Sequence, residues 1–248
     1  YYRAAPVSIT RELAYLRIHH STSGIAHRSF PFAVCCVQTH DRKSKIYDVD
    51  RQHLSHKKNR ILGALPAEDL ERLEPMLERV TLASGDILFR PDERIEYVYF
   101  PDRSMISVVA YSVTGQAAEA AVIGSEGAAG LDVILGSDST INENITQLAD
   151  SALRIKTADI RAEFARGGVM HDLLLSFTRK LLVQMSQTVL CNRLHTTENR
   201  LSRWLLMCRD RSESDVLRLT QEFISIMLGA SRTTVTLTAI ELQNLGLI

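Results

Sequence analysis

The residues best suited to act on a partner lie in one stretch near the C-terminus, Leu219-Thr220-Gln221-Glu222-Phe223-Ile224-Ser225-Ile226-Met227-Leu228-Gly229-Ala230-Ser231-Arg232-Thr233-Thr234-Val235-Thr236-Leu237. Gly229 stands where a turn between two helices needs a positive φ, and Ser225 is small where those helices would approach. Ile224, Leu228, Val235 and Ile240 are apolar at the positions a shared core would need. Ser231 can cap the second helix, which then starts with Arg232, Thr233 and Thr234, side chains aimed outward from its first turn. That is how a recognition helix meets base edges and phosphates. The layout predicts a helix-turn-helix, with Gln221, Ser231, Arg232, Thr233, Thr234 and Thr236 as candidate DNA-binding residues. A glycine-linked helix pair that touches no DNA is the alternative.

Other chemistries find little support. Cys35, Cys36, Cys191 and Cys208 fit no metal-ligand spacing, so the expectation is reduced thiols in a cytoplasmic protein, with no metal and no cofactor. An enzyme of the metal-dependent β-roll type would need histidines on its strands, yet none occurs between Lys57 and Met170. Gly124, Gly127 and Gly130 do not have the spacing of a phosphate-cradling G-x-G-x-x-G run. No P-loop, nucleophile elbow or paired carboxylates stand out, and the chain is expected not to be an enzyme.

Such a pair of helices needs a folded body behind it. With 248 residues and 45% apolar content the chain can bury a sizeable core. The 29 basic and 29 acidic residues balance overall. Residues 1–58 nevertheless carry ten basic against four acidic side chains, and six of the eight histidines. Apart from Ser8 to Ile18, which can form a helix with Ile9, Leu13 and Leu16 near one face, this segment is read as a poorly ordered basic extension. Its start at Tyr1 is read as a fragment edge. No apolar run reaches the ~18 residues of a membrane span, so no membrane partner is expected.

Leu65-Pro66-Ala67-Glu68-Asp69-Leu70 reads as a helix start. From Val80 to Lys156 the apolar period is two, in short pieces at 80–82, 87–89, 97–100, 105–111, 117–123, 145–148 and 153–155 separated by turn residues. Six of the twelve glycines punctuate this stretch. Seven such strands indicate an antiparallel β-roll, jelly-roll-like. Val169 to Leu194 predicts one long helix, roughly 39 Å at about 1.5 Å per residue. Met170, Leu174, Phe177, Leu181, Gln184, Thr188 and Cys191 follow a 4-3-4-3 rhythm, and the first six are the expected dimerisation seam; a long core helix without a partner is the alternative. Leu173, Leu175, Leu182, Met185 and Val189 widen the stripe, so one face can meet the roll and another a second subunit. A further helix follows from a cap at Thr196 or Thr197 through Cys208.

A glycine-punctuated roll, a long pairing helix, a short helix and the final Leu-Thr-Gln-Glu…Leu-Gly-x-Ser-Arg-x-Thr-Val resemble the Crp/Fnr family of bacterial transcription regulators over about residues 59–248. The resemblance implies an α+β fold with a cyclic-nucleotide-binding-like sensor roll at 59–168, a dimerisation helix at 169–194 and a winged helix-turn-helix at 195–248. It also implies a homodimer that binds a two-fold site in double-stranded DNA. A sensor or scaffold dimer that no longer binds DNA is the alternative, because basic and acidic residues cancel over 198–248.

The chain also departs from the family pattern. Gly127-Ala128-Ala129-Gly130-Leu131-Asp132 replaces the ribose-binding Gly-Glu-Leu, and no arginine lies between Arg103 and Arg154, so cyclic AMP is not the expected effector. Whether the roll senses another small molecule or is a structural platform stays open. Thr233 and Leu237 replace an acidic and a basic reader of the recognition helix, so the familiar half-site is not assumed. The wing hairpin would begin at Leu245-Gly246-Leu247-Ile248, where the sequence stops, and most of the wing is expected to be missing.

Overall fold

The computed structural model describes residues 58–212 and 214–248 and the backbone of residues 14–17. Most of the basic extension, with Cys35 and Cys36, therefore lies outside the described residues. Within the helix expected over Ser8 to Ile18, the described part is instead a strand, β1 (Ala14–Arg17). It runs antiparallel to β9 (Val216–Leu219), with Ala14 opposite Leu219 and Arg17 opposite Val216. The pairing supplies hydrogen-bond partners to backbone groups of both strands, which a local helical pattern could not reveal.

A short helix α1 (Arg60–Gly63) opens the roll and α2 (Ala67–Leu73) follows, running into a 3-10 turn at Glu74–Met76. Asn59 is fully buried: its Oδ1 accepts from the amides of Ile61 and Leu62, while its Nδ2 donates to the carbonyls of Pro101 and Gly127. One side chain thus caps α1 and ties it to the roll.

The seven expected strands are present as β2 (Glu78–Leu82), β3 (Ile87–Phe89), β4 (Tyr97–Pro101), β5 (Met105–Tyr111), β6 (Ala117–Ile123), β7 (Glu143–Leu148) and β8 (Asp150–Lys156). They form two antiparallel sheets, β2-β8-β4 and β3-β7-β5-β6. Alternation along β5 divides its side chains between two cores: Ile106 and Val108 join the one inside the roll, whereas Met105 and Val109 join a second one outside it. Against that outer face lie residues of α5 (Thr197–Ser212), β9, α6 (Gln221–Leu228) and α7 (Arg232–Asn244).

Helix α3 (Thr157–Arg166) follows β8. Gly167 and Gly168, at φ 77° and 84°, then break the chain before α4 (Val169–Leu194), a backbone conformation that a side chain would strain. The long helix has the expected bounds, but the first half of its expected seam is corrected. Met170, Leu174 and Phe177 are buried in the core of their own roll, and Leu181 packs against it. Gln184 accepts from the Val122 amide at 2.6 Å and donates to the Val122 carbonyl at 3.2 Å. Cys191 is buried, and Thr188 returns its hydroxyl to the Gln184 carbonyl. Met170, Leu174 and Phe177, enclosed within their own chain, cannot also meet a second one, whereas Leu181, Gln184 and Thr188 are half-buried. The face left open carries Leu175, Leu182 and Val189, seven residues apart, with Val183, Leu190 and Leu194 beside them. Among the described residues no single helix is long and apolar enough to cross a membrane.

Candidate nucleic-acid interface

Thr220 starts α6 by accepting the Phe223 amide on its hydroxyl at 3.0 Å. Gly229 ends that helix in the left-handed region at φ 56°. The amide of Gly229 donates to the Ile226 carbonyl and that of Ala230 to the Ser225 carbonyl, a Schellman closure. The guanidinium of Arg200, from α5, donates to the Leu228 carbonyl at the same helix end. Ser231 then caps α7, accepting the Thr234 amide at 3.1 Å. Across this break the two helices differ in direction by 105°, within the range of a helix-turn-helix.

Small and apolar residues hold the pair together. Ser225 is buried, its hydroxyl donating to the Glu222 carbonyl, and Phe223, Ile224, Leu228, Val235 and Leu242 share the core outside the roll. Ile240, expected in that core, is 48% exposed, and Thr238 takes the inward position instead, because 235, 238 and 242 fall on one side of the helix.

The candidate DNA-binding residues separate into two groups. Ser231, Arg232, Thr233 and Thr234 are exposed together on the first turn of α7. Gln221 and Thr236 are half-buried and bind each other, the Thr236 hydroxyl lying 2.7 Å from Gln221 Oε1, which locks the start of α6 onto α7. Leu237 adds an exposed apolar side chain one turn further along.

The helix-turn-helix also rests on the roll. A methyl group on Gly229 would lie 3.3 Å from the Ala118 side chain, so the turn leans on β6. Arg211 of α5 binds Glu126 at 2.7 Å, its stem lying over Gly124. The indole of Trp204 donates to Glu119 Oε1 at 2.9 Å. Gln147 Nε2 lies 3.0 Å from Cys208 Sγ. None of these contacts was expected from sequence. The one available signal was an acid, Glu119, in the otherwise apolar run Ala117–Ile123.

Comparison with family models matches residues 199–248 to the Crp-like helix-turn-helix domain. Three solved structures share the fold. The c-di-GMP responsive global regulator CLP of Xanthomonas campestris is 17% identical, covering 73% of this chain and 93% of its own, at a TM-score of 0.60. FixK2 of Bradyrhizobium japonicum is 16% identical, covering 68% and 86%, at 0.59. A transcriptional regulator of the Crp/Fnr family from Eubacterium rectale is 12% identical, covering 76% and 88%, at 0.62. Comparison with curated proteins yields no match.

Proposed function

From a chain with the Crp/Fnr regulator fold and a Crp-like helix-turn-helix domain at residues 199–248, we infer a homodimeric transcription regulator that binds a two-fold site in double-stranded DNA. The observation that carries the reading is the first turn of α7. Ser231, Arg232, Thr233 and Thr234 stand exposed on a helix whose other side is fixed by Val235, Thr238 and Leu242. Arg232 is the residue we assign to a base edge or a phosphate pair, since its guanidinium offers a planar fork of donors. Ser231, Thr233 and Thr234 add hydroxyl contacts, and Gln221 and Thr236 set the register of the helix.

The division of labour follows the fold: the roll at 59–168 as sensor or platform, α4 as the dimerising helix, and 195–248 as the DNA reader. The open stripe of Leu175, Leu182 and Val189 supports the dimer, because three apolar side chains one heptad apart on an exposed face fit a paired helix. Two copies joined there would present two recognition helices to a site with matching symmetry.

The test is a fluorescence titration of the protein against DNA upstream of its gene at several salt concentrations. Saturable binding to one segment, weakening as salt rises, is expected. Binding indistinguishable from that to random duplex at every salt concentration overturns the DNA reading and leaves the sensor or scaffold dimer.

A further inference from the structure

We propose that the buried carboxyl of Glu119, hydrogen-bonded to Trp204 across the boundary between roll and helix-turn-helix, is a proton-linked latch that holds the two together. The inference concerns domain docking alone and stands whether or not the protein binds DNA.

Glu119 lies on β6 within the sheet face that α5 covers, and both it and Trp204 are buried. The indole satisfies Oε1. Oε2 is buried with no hydrogen-bond partner. Ser107 of β5 stands beside the carboxyl, and Gln147 Oε1, 2.7 Å from its hydroxyl, competes for the one proton it can donate. Gln147 of β7 in turn faces the thiol of Cys208. Of the charged groups on α5, Arg203 and Arg211 act on the carboxyl, and Arg211 is bound to Glu126. A carboxylate in this place would leave one anionic oxygen buried and unsolvated, whereas a carboxylic acid fits it.

Burial accordingly pushes the Glu119 carboxyl up to about 8 from an ordinary 4.5, with Ser107, Trp204, Arg211 and Arg203 pulling the other way. Burial likewise pushes the Cys208 thiol up, with Glu119 adding to the effect. When α5 lifts off the sheet, Glu119 reaches water and returns to its ordinary value. Docking therefore takes up a proton between pH 4.5 and 8. Its full strength is present below that window, is lost progressively as pH rises through it, and levels off above. From pH 6 to pH 8 the docking constant falls roughly fifty-fold.

The test is native-state amide exchange followed by mass spectrometry at pH 6 and pH 8, with rates corrected for intrinsic exchange. In the wild-type protein the opening constant of segments 117–123 and 200–212 is expected to rise by about fifty-fold. Segments of β4 and β8, on the opposite sheet, should not follow. In Glu119→Gln, which stays neutral and keeps an oxygen for Trp204, the rise should vanish. Equal opening constants at the two pH values in wild type overturn the latch, and that comparison needs no variant to fold. A full rise that persists in Glu119→Gln also overturns it, by assigning the proton to another group.

Discussion

Gly127 and Phe177 meet so closely that a methyl group on the glycine would lie 2.0 Å from the phenyl Cζ. The ring of a residue on α4 is therefore seated directly on the backbone that follows β6. This contact, with Gln184 on Val122, fixes which face of α4 turns inward. Gly127→Ala is expected to destabilise the fold by about 1–3 kcal/mol through overpacking. Chemical denaturation of Gly127→Ala, Phe177→Leu and the double variant checks it: the double variant should lose less than the sum of the two.

Leu182 is 59% exposed on the open face of α4, whereas Leu174 is 0% exposed on the inner one. Leu182→Asp is expected to leave the fold intact and give monomers in sedimentation. Leu174→Asp buries an unpaired carboxylate and should cost several kcal/mol of stability, on the order of 3 or more. A wild-type assembly state for Leu182→Asp would place the dimer contact elsewhere.

Arg232 is exposed and its removal should not disturb folding. In the DNA titration Arg232→Ala is expected to weaken specific binding by about 1–3 kcal/mol with an unchanged melting temperature. Unaltered specific affinity would take it out of the interface.

Cyclic AMP is expected not to bind. Ala128 and Ala129 are fully buried beside the Phe177 contact, and residues 104–153 contain no lysine or arginine to meet a phosphate. Isothermal calorimetry with millimolar nucleotide should show no saturable heat. A micromolar dissociation constant would mean that Phe177 leaves its seat.

The roll was legible because most of its strands are short apolar pieces ended by glycine, proline or aspartate, and such local signals survive in the folded chain. The bounds of α4 were legible for the same reason, with Gly167-Gly168 before it and no glycine or proline until Gly229. Its orientation was not. The helix is apolar on two sides, and periodicity cannot tell which side meets the roll: that choice rests on Gly127, about fifty residues earlier in the chain. Ile240 was misplaced because α7 carries apolar side chains on its outer side too, while a threonine fills the inward position. Of the site, the cap, the turn and the exposed first turn of α7 could be read from residue types alone. The seat of the helix-turn-helix on β6 could not, since Glu119, Trp204 and Arg211 reveal their relation only once sheet and helices are in place.

The pairing of β1 with β9 joins residues about two hundred positions apart. During vectorial synthesis at ~5–20 residues per second, β1 leaves the ribosome roughly ten to forty seconds before its partner strand exists. Through that interval its backbone donors and acceptors have only water or a foreign strand edge to engage. Closing so large a loop is among the slowest steps available to the chain, because its entropy cost precedes any gain from the ladder. β1 is thus a late arrival in folding although it is made well before its partner, and completion of β9 is what gives it a place to go.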